Sequence, residues 1–109
     1  MELNDYQRLA QETAIYPVLG HAIVYPALGL AGEAGEVAEK VKKAMRDDNG
    51  LITVARQLEL KKELGDVLWY VSEVARQAGL TLEEIATHNY AKLKDRKERN
   101  VIKGSGDER

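Results

Sequence analysis

The stretch that decides the fold is LAGEAGEVA, residues 30–38. Its apolar residues recur every three or four positions, which is the spacing of one face of a helix. A second stretch, ELGDV at residues 63–67, repeats the arrangement. Each stretch carries two carboxylates three residues apart, so both acids of a pair lie on one side of an amphipathic helix. The sequence therefore predicts two helices, each with an acidic pair.

The two acidic pairs are expected to converge. At about 100° per residue, Glu33 and Glu36 lie on the same rotational side of their apolar stripe as Glu63 and Asp66 do of theirs. The turn DDNG, residues 47–50, joins the helices into an antiparallel hairpin and leaves the pairs at similar heights. Four clustered carboxylates repel one another unless a cation binds them. The pattern predicts a Mg²⁺ site, with Mn²⁺ as the alternative ion, whereas the plainer interpretation is two solvated acidic flanks.

Four main helices and a single all-α domain, residues 1–102, are predicted. The first runs from about Asp5 to Thr13 with Asn4 as N-cap, and an irregular connector covers residues 14–25. The second begins at Pro26, the third follows the N-cap Thr53 and ends at Gly79, and the fourth follows the capping box of residues 81–84. Short connections favour an up-and-down antiparallel bundle. Residues 103–109 are predicted to be a flexible tail.

Polar residues interrupt the apolar face of the fourth helix. Asn89 and Arg96 fall near the middle of that face, and Lys92 lies slightly to one side. Buried polar groups need partners, and these three would suit an anionic ligand held by the metal. Helical glycines are a second irregularity, because each costs about 1 kcal/mol relative to alanine. They predict close backbone approach, either between helices or to a ligand, at Gly29, Gly32, Gly35 and Gly65.

Composition excludes several classes of function. The chain has 109 residues, a formal net charge of −2 and no cysteine, so disulfides and thiolate metal sites are excluded. The sequence has no broad basic region of the kind that binds nucleic acid, so nucleic acid is not expected as a partner. No apolar run is long enough for a membrane span. The N-terminus lacks a signal-peptide pattern, so a cytoplasmic location is expected. A chain this small buries a limited core by itself.

The combined motif resembles a known family. The elements are Glu33-x-x-Glu36, Glu63-x-x-Asp66 and Asn89-x-x-Lys92-x-x-x-Arg96. Together they look like the MazG-like nucleotide pyrophosphohydrolases of the all-α NTP pyrophosphatase superfamily. The resemblance covers about residues 26–96.

That resemblance implies Mg²⁺-dependent hydrolysis of a nucleoside triphosphate to the monophosphate and pyrophosphate, as in nucleotide-pool house-cleaning. It implies a homodimer, or a tetramer built from dimers, with sites at subunit interfaces. The roles it assigns are metal binding by the four acids, phosphate contacts by Asn89, Lys92 and Arg96, and a nucleoside contact by Tyr70. Glu36 is our choice for the base that activates water. The alternatives are a dUTP or phosphoribosyl-ATP pyrophosphohydrolase and a non-catalytic helical module.

Overall fold

A computed structural model describes all residues from Met1 to Arg109. It contains four helices, α1 (Leu3–Gln11), α2 (Val24–Asp47), α3 (Val54–Gln77) and α4 (Leu82–Glu98), and no strands. The all-α prediction is confirmed. Helices α2 and α3 form a long antiparallel hairpin, α1 packs against α3 and α4, and the main contact of α4 is with α1.

The start of α1 differs from the prediction. Its N-cap is Glu2, not Asn4, and the Glu2 backbone N–H donates to the Asp5 carboxylate at 3.2 Å. The side chain of Asn4 instead accepts from the backbone N–H of Glu83 at 3.1 Å. Gln7 likewise accepts from the backbone N–H of Leu82 at 3.0 Å. Both donors belong to the first turn of α4 and have no helical partner, so α1 uses its amides to cap another helix.

The other helix ends follow the sequence signals closely. Helix α2 begins two residues before Pro26, which is tolerated because N–H groups in the first turn bond to no helix carbonyl. Thr53 caps α3 and accepts from the Arg56 N–H at 3.2 Å, as predicted. Gly79 ends α3 with φ +76°, and Thr81 and Glu84 form the predicted capping box of α4. The reversals that build the bundle are therefore encoded locally.

The connector before α2 is fixed by a buried polar network. Glu73 of α3 is 0% exposed, and its Oε1 accepts from the Tyr16 hydroxyl at 2.8 Å and from Arg76 Nη2 at 2.6 Å. Gln77 Nε2 donates to the Tyr16 hydroxyl at 2.9 Å. The Tyr16 ring lies 6.2 Å from that of Trp69. A buried carboxylate needs such partners, so this network anchors the irregular segment to α3.

The single chain is unusually open. Its radius of gyration is 16.7 Å, whereas about 13 Å is typical of a compact chain of this length. It exposes 7744 Å², compared with about 6,100 Å² expected for a monomer of its mass. Large apolar side chains are exposed along the hairpin. They include Val41, Met45, Leu58, Leu64 and Leu68.

Residues after α4 fold back against that helix. Arg109 donates to the backbone oxygens of Val101 at 3.1 Å and Ile102 at 3.0 Å. Asp107 contacts Lys92 and Arg96 of α4. The predicted tail therefore has defined contacts, and its flexibility stays a prediction. Separately, none of the four helices combines the length and apolarity that a membrane crossing requires.

Candidate metal and nucleotide site

Three of the four predicted carboxylates meet between α2 and α3. Oxygens of Glu33, Glu63 and Asp66 all lie within 4.8 Å of one another. Each pair lies on one side of its helix because its members are three residues apart, and the antiparallel hairpin brings the two sides together. Glu36 is exposed and lies outside this group of three.

The electrostatics of the cluster centre on Glu33. Partial burial raises the pKa of Glu33, and the negative charges of Asp66, Glu63 and Glu36 raise it further. Because its charge also raises the pKa of Glu33, Glu36 lies near the cluster, although its oxygens are outside the group of three. Like charges held this close disfavour one another's ionised forms.

The donor set fits a hard divalent cation. All the grouped atoms are carboxylate oxygens, which Mg²⁺ and Mn²⁺ prefer, and no histidine or sulfur is among them. Two of the three carboxylates are half-buried and one is exposed, so the cluster stays open to a ligand on one side. Such a site keeps coordination positions for water or phosphate.

Aromatic residues form a wall beside the carboxylates. A concavity of about 310 Å³ is lined by Thr13, Glu33, Asp66, Trp69 and Tyr70. The rings of Trp69 and Tyr70 meet edge to face with centroids 5.0 Å apart. Trp69 Nε1 donates to Thr13 Oγ1 at 2.7 Å, which fixes the indole. An acidic site with an aromatic wall suits a ligand that has both a metal-binding group and a flat ring.

The three polar residues of α4 lie in a separate region. Asn89 and Lys92 line one concavity of α4, and Lys92 and Arg96 line a second with Asp107. Neither concavity shares a residue with the one that contains Glu33 and Asp66. Arg96 is only 5% exposed. Within one chain, therefore, the structure does not bring the α4 cations to the carboxylates.

Two features near the predicted site residues were not predicted from the sequence. Asp107 Oδ1 accepts from Lys92 Nζ at 3.0 Å and from Arg96 Nη2 at 3.2 Å. These cations hold the pKa of Asp107 below its usual range. Burial, and then the charge of Asp66, raises the pKa of Tyr6 in α1, so Tyr6 lies near the cluster. The two acidic residues of the tail, Asp107 and Glu108, were the only sequence signal for the Asp107 contacts, and no sequence signal placed Tyr6 near the carboxylates.

Comparison with known proteins identifies relatives of this chain. Residues 26–101 match the family model of the MazG nucleotide pyrophosphohydrolase domain. The chain is also similar to the Gene 37 protein of Mycobacterium phage L5, with 46% identity over 114 residues and full coverage of both proteins. No solved structure matches it. The matched range contains both acidic pairs and the three polar residues of α4.

Proposed function

Because the chain belongs to the MazG nucleotide pyrophosphohydrolase family, we propose that it hydrolyses a nucleoside triphosphate between the α and β phosphates. The products are the nucleoside monophosphate and pyrophosphate, and the role is nucleotide-pool house-cleaning. The observation that carries the proposal is the group of three carboxylates beside an aromatic wall. A nucleotide offers the matching chemistry, because its phosphates bind metal and its base is flat.

The acidic residues are proposed to bind Mg²⁺. Glu33, Glu63 and Asp66 would hold the ion, with Glu36 as a fourth ligand or as the base. A bound Mg²⁺ polarises phosphate oxygens and lowers the pKa of water. Glu36 would take the proton when water oxygen bonds to phosphorus and the bridging P–O bond breaks. Its exposure supports this role, since it can face solvent water.

The remaining site residues are proposed to bind the substrate. Lys92 and Arg96 would offset the charge of the leaving pyrophosphate, and Asn89 would donate to a phosphate oxygen. Tyr70 would contact the nucleoside from the aromatic wall. Positioning and charge neutralisation supply most of the catalysis in phosphoryl transfer, so these contacts matter as much as the base.

A homodimer is proposed to complete the site. The exposed area exceeds the expectation for a monomer by about 1,600 Å² per chain, so two chains could bury about 3,200 Å² in total, which lies in the range of obligate homodimer interfaces. The α4 cations lie apart from the carboxylates of the same chain. We therefore assign the cations of each site to the α4 helix of a second copy. A closed two-fold dimer would then contain two equivalent sites.

The test is a panel of canonical and modified nucleoside triphosphates, including dUTP, together with phosphoribosyl-ATP. We expect Mg²⁺ to support release of pyrophosphate and matching monophosphate from at least one triphosphate, and EDTA to stop it. The reason is that the carboxylates repel the triphosphate unless a cation lies between them.

The products distinguish the alternatives. Orthophosphate would contradict cleavage at the α–β bond. Turnover of phosphoribosyl-ATP alone, or of dUTP alone, would replace the proposed substrate class by the corresponding relative. A protein that hydrolyses nothing in the panel and gains no thermal stability from Mg²⁺ would be a non-catalytic helical module.

A further inference from the structure

Gly29 of α2 lies directly against the ring of Tyr70 in α3. A Cβ atom built on Gly29 would stand 2.2 Å from Cε1 and 2.4 Å from Cζ of that ring. Carbon atoms in contact require about 3.5–4.0 Å, so only glycine allows this position of the ring. The other three predicted close approaches are absent within the chain, because Gly32, Gly35 and Gly65 have no neighbour within 4 Å of such an atom.

The ring that Gly29 accommodates forms part of the candidate site. Tyr70 lines the concavity that also contains Glu33 and Asp66. Burial raises the pKa of Tyr70, and the nearby Tyr25 and Glu33 raise it further. Trp69 also meets the Tyr70 ring, edge to face. Gly29 and Trp69 therefore define where the aromatic wall stands relative to the carboxylates.

We propose that Gly29 is a positioning residue that sets the place of Tyr70 against the nucleoside. This inference rests on the proposed function, since the nucleoside is the group that Tyr70 contacts. A methyl group at residue 29 would move the ring without changing any carboxylate. The effect should therefore fall on substrate binding and leave the hydrolytic step intact.

The test is Gly29→Ala, with Gly32→Ala as the matched control on the same helix. Alanine favours helices over glycine, so Gly32→Ala should keep or raise the melting temperature, whereas Gly29→Ala should lower it. Loss of one aromatic contact to a base should raise KM about tenfold with kcat within about twofold. The fluorescence emission of Trp69, the single tryptophan, should shift in Gly29→Ala and stay unchanged in Gly32→Ala.

Combining Gly29→Ala with Tyr70→Leu separates displacement of the ring from a general loss of stability. Tyr70→Leu removes the ring from the space beside Gly29, so Gly29→Ala should add no further KM increase to that of Tyr70→Leu. KM increases that multiply would overturn the inference, as would Gly29→Ala kinetics equal to those of Gly32→Ala. A wild-type protein without activity in the full panel would refute the proposed function and this inference with it. If the wild type is active, either of the first two results contradicts only the positioning role of Gly29 and leaves the proposed function standing.

A second inference comes from the tail. The Asp107 carboxylate accepts from both Lys92 and Arg96, and the Asp107 backbone oxygen accepts from Arg96 as well. These are the two cations assigned to the triphosphate. A carboxylate and a phosphate oxygen compete for the same donors. Asp107 is 77% exposed at its side chain, so water can replace its contacts when it leaves.

We infer that Asp107 is an internal competitor for the phosphate-binding cations. In this arrangement the tail occupies Lys92 and Arg96 until substrate displaces it. The inference also rests on the proposed function, but its test does not require hydrolysis. Binding of inorganic pyrophosphate without metal measures the availability of the cations directly.

The test compares Asp107→Asn with Glu108→Gln, which removes the adjacent charge from an exposed residue without a polar partner. Asp107→Asn should bind pyrophosphate about threefold more tightly than wild type, and Glu108→Gln should bind it as wild type does. In turnover, KM should fall for Asp107→Asn at unchanged kcat. Equal or weaker pyrophosphate binding by Asp107→Asn would overturn the inference, whether or not the protein hydrolyses triphosphates.

Discussion

Glu63→Gln is expected to lower Mg²⁺-dependent turnover by on the order of a hundredfold or more while leaving the fold intact. Glu63 is one of the three carboxylates whose oxygens lie within 4.8 Å of one another, so its charge is central to cation binding. Glutamine keeps the size of the side chain but removes that charge. The measurement is pyrophosphate release over a range of Mg²⁺ concentrations, together with the melting temperature with and without Mg²⁺.

Although Glu63→Gln should lose turnover, it should not lose stability in the absence of metal. The charge of Glu63 contributes to the raised pKa of Glu33, so neutralising Glu63 relieves repulsion in the folded state. Metal-free Glu63→Gln should therefore melt at or above the wild-type temperature, and Mg²⁺ should stabilise it less than wild type. For the same reason, metal-free wild type should gain stability as the pH falls through the raised pKa of Glu33 toward the ordinary pKa of a glutamate, since over that range the folded state binds the proton more tightly than the unfolded state does.

Glu39→Gln is the matched control for this experiment. Glu39 lies on α2 and pairs with Lys42 at 2.9 Å, and that hydrogen bond lowers the pKa of Glu39. Neutralising it should change neither turnover nor stabilisation by Mg²⁺, because an exposed ion pair contributes little. Unchanged activity in Glu63→Gln, or an equal loss in Glu39→Gln, would contradict the metal site.

The features that sequence predicted well are the ones encoded by near neighbours. Thr53, Gly79 and Thr81 mark helix ends through contacts within four residues, and the structure confirms each. Glu33, Glu63 and Asp66 were placed together by helical phase and by the hairpin alone. The cap signals are local to each helix end, and the carboxylate signal follows from the regular period of the helix.

The features that sequence missed depend on contacts between distant residues. Asparagine is a common N-cap residue, but the side chain of Asn4 accepts from the backbone N–H of Glu83, which lies 79 residues away. Asp107 meets Lys92 and Arg96 because the tail reverses after α4, and no periodicity encodes that reversal. The sequence predicted a close approach at Gly29, but it did not identify Tyr70 as the partner. That pairing depends on the relative height of α2 and α3. Such contacts depend on how distant elements pack, which no local or periodic pattern of the sequence specifies.

A mixed dimer of two inactive variants is expected to recover about half of the wild-type turnover per dimer. The variants are Glu63→Gln, which damages the carboxylates, and Arg96→Gln, which damages the α4 cations. If the two halves of a site come from different subunits, one site of the mixed dimer carries both defects and the other carries none. The measurement is activity of a dimer purified through two different tags after coexpression, with its mass confirmed by light scattering.

The arrangement within the chain makes this outcome decisive. Arg96 and Lys92 lie beside Asp107, in a concavity that shares no residue with the one around Glu33 and Asp66. If each chain instead closed α4 over its own carboxylates, both sites of the mixed dimer would carry one defect, and turnover would stay at the level of the single variants. Dimers that remain inactive would therefore place the cations in the same chain, and a monomeric protein with full activity would exclude the shared site altogether.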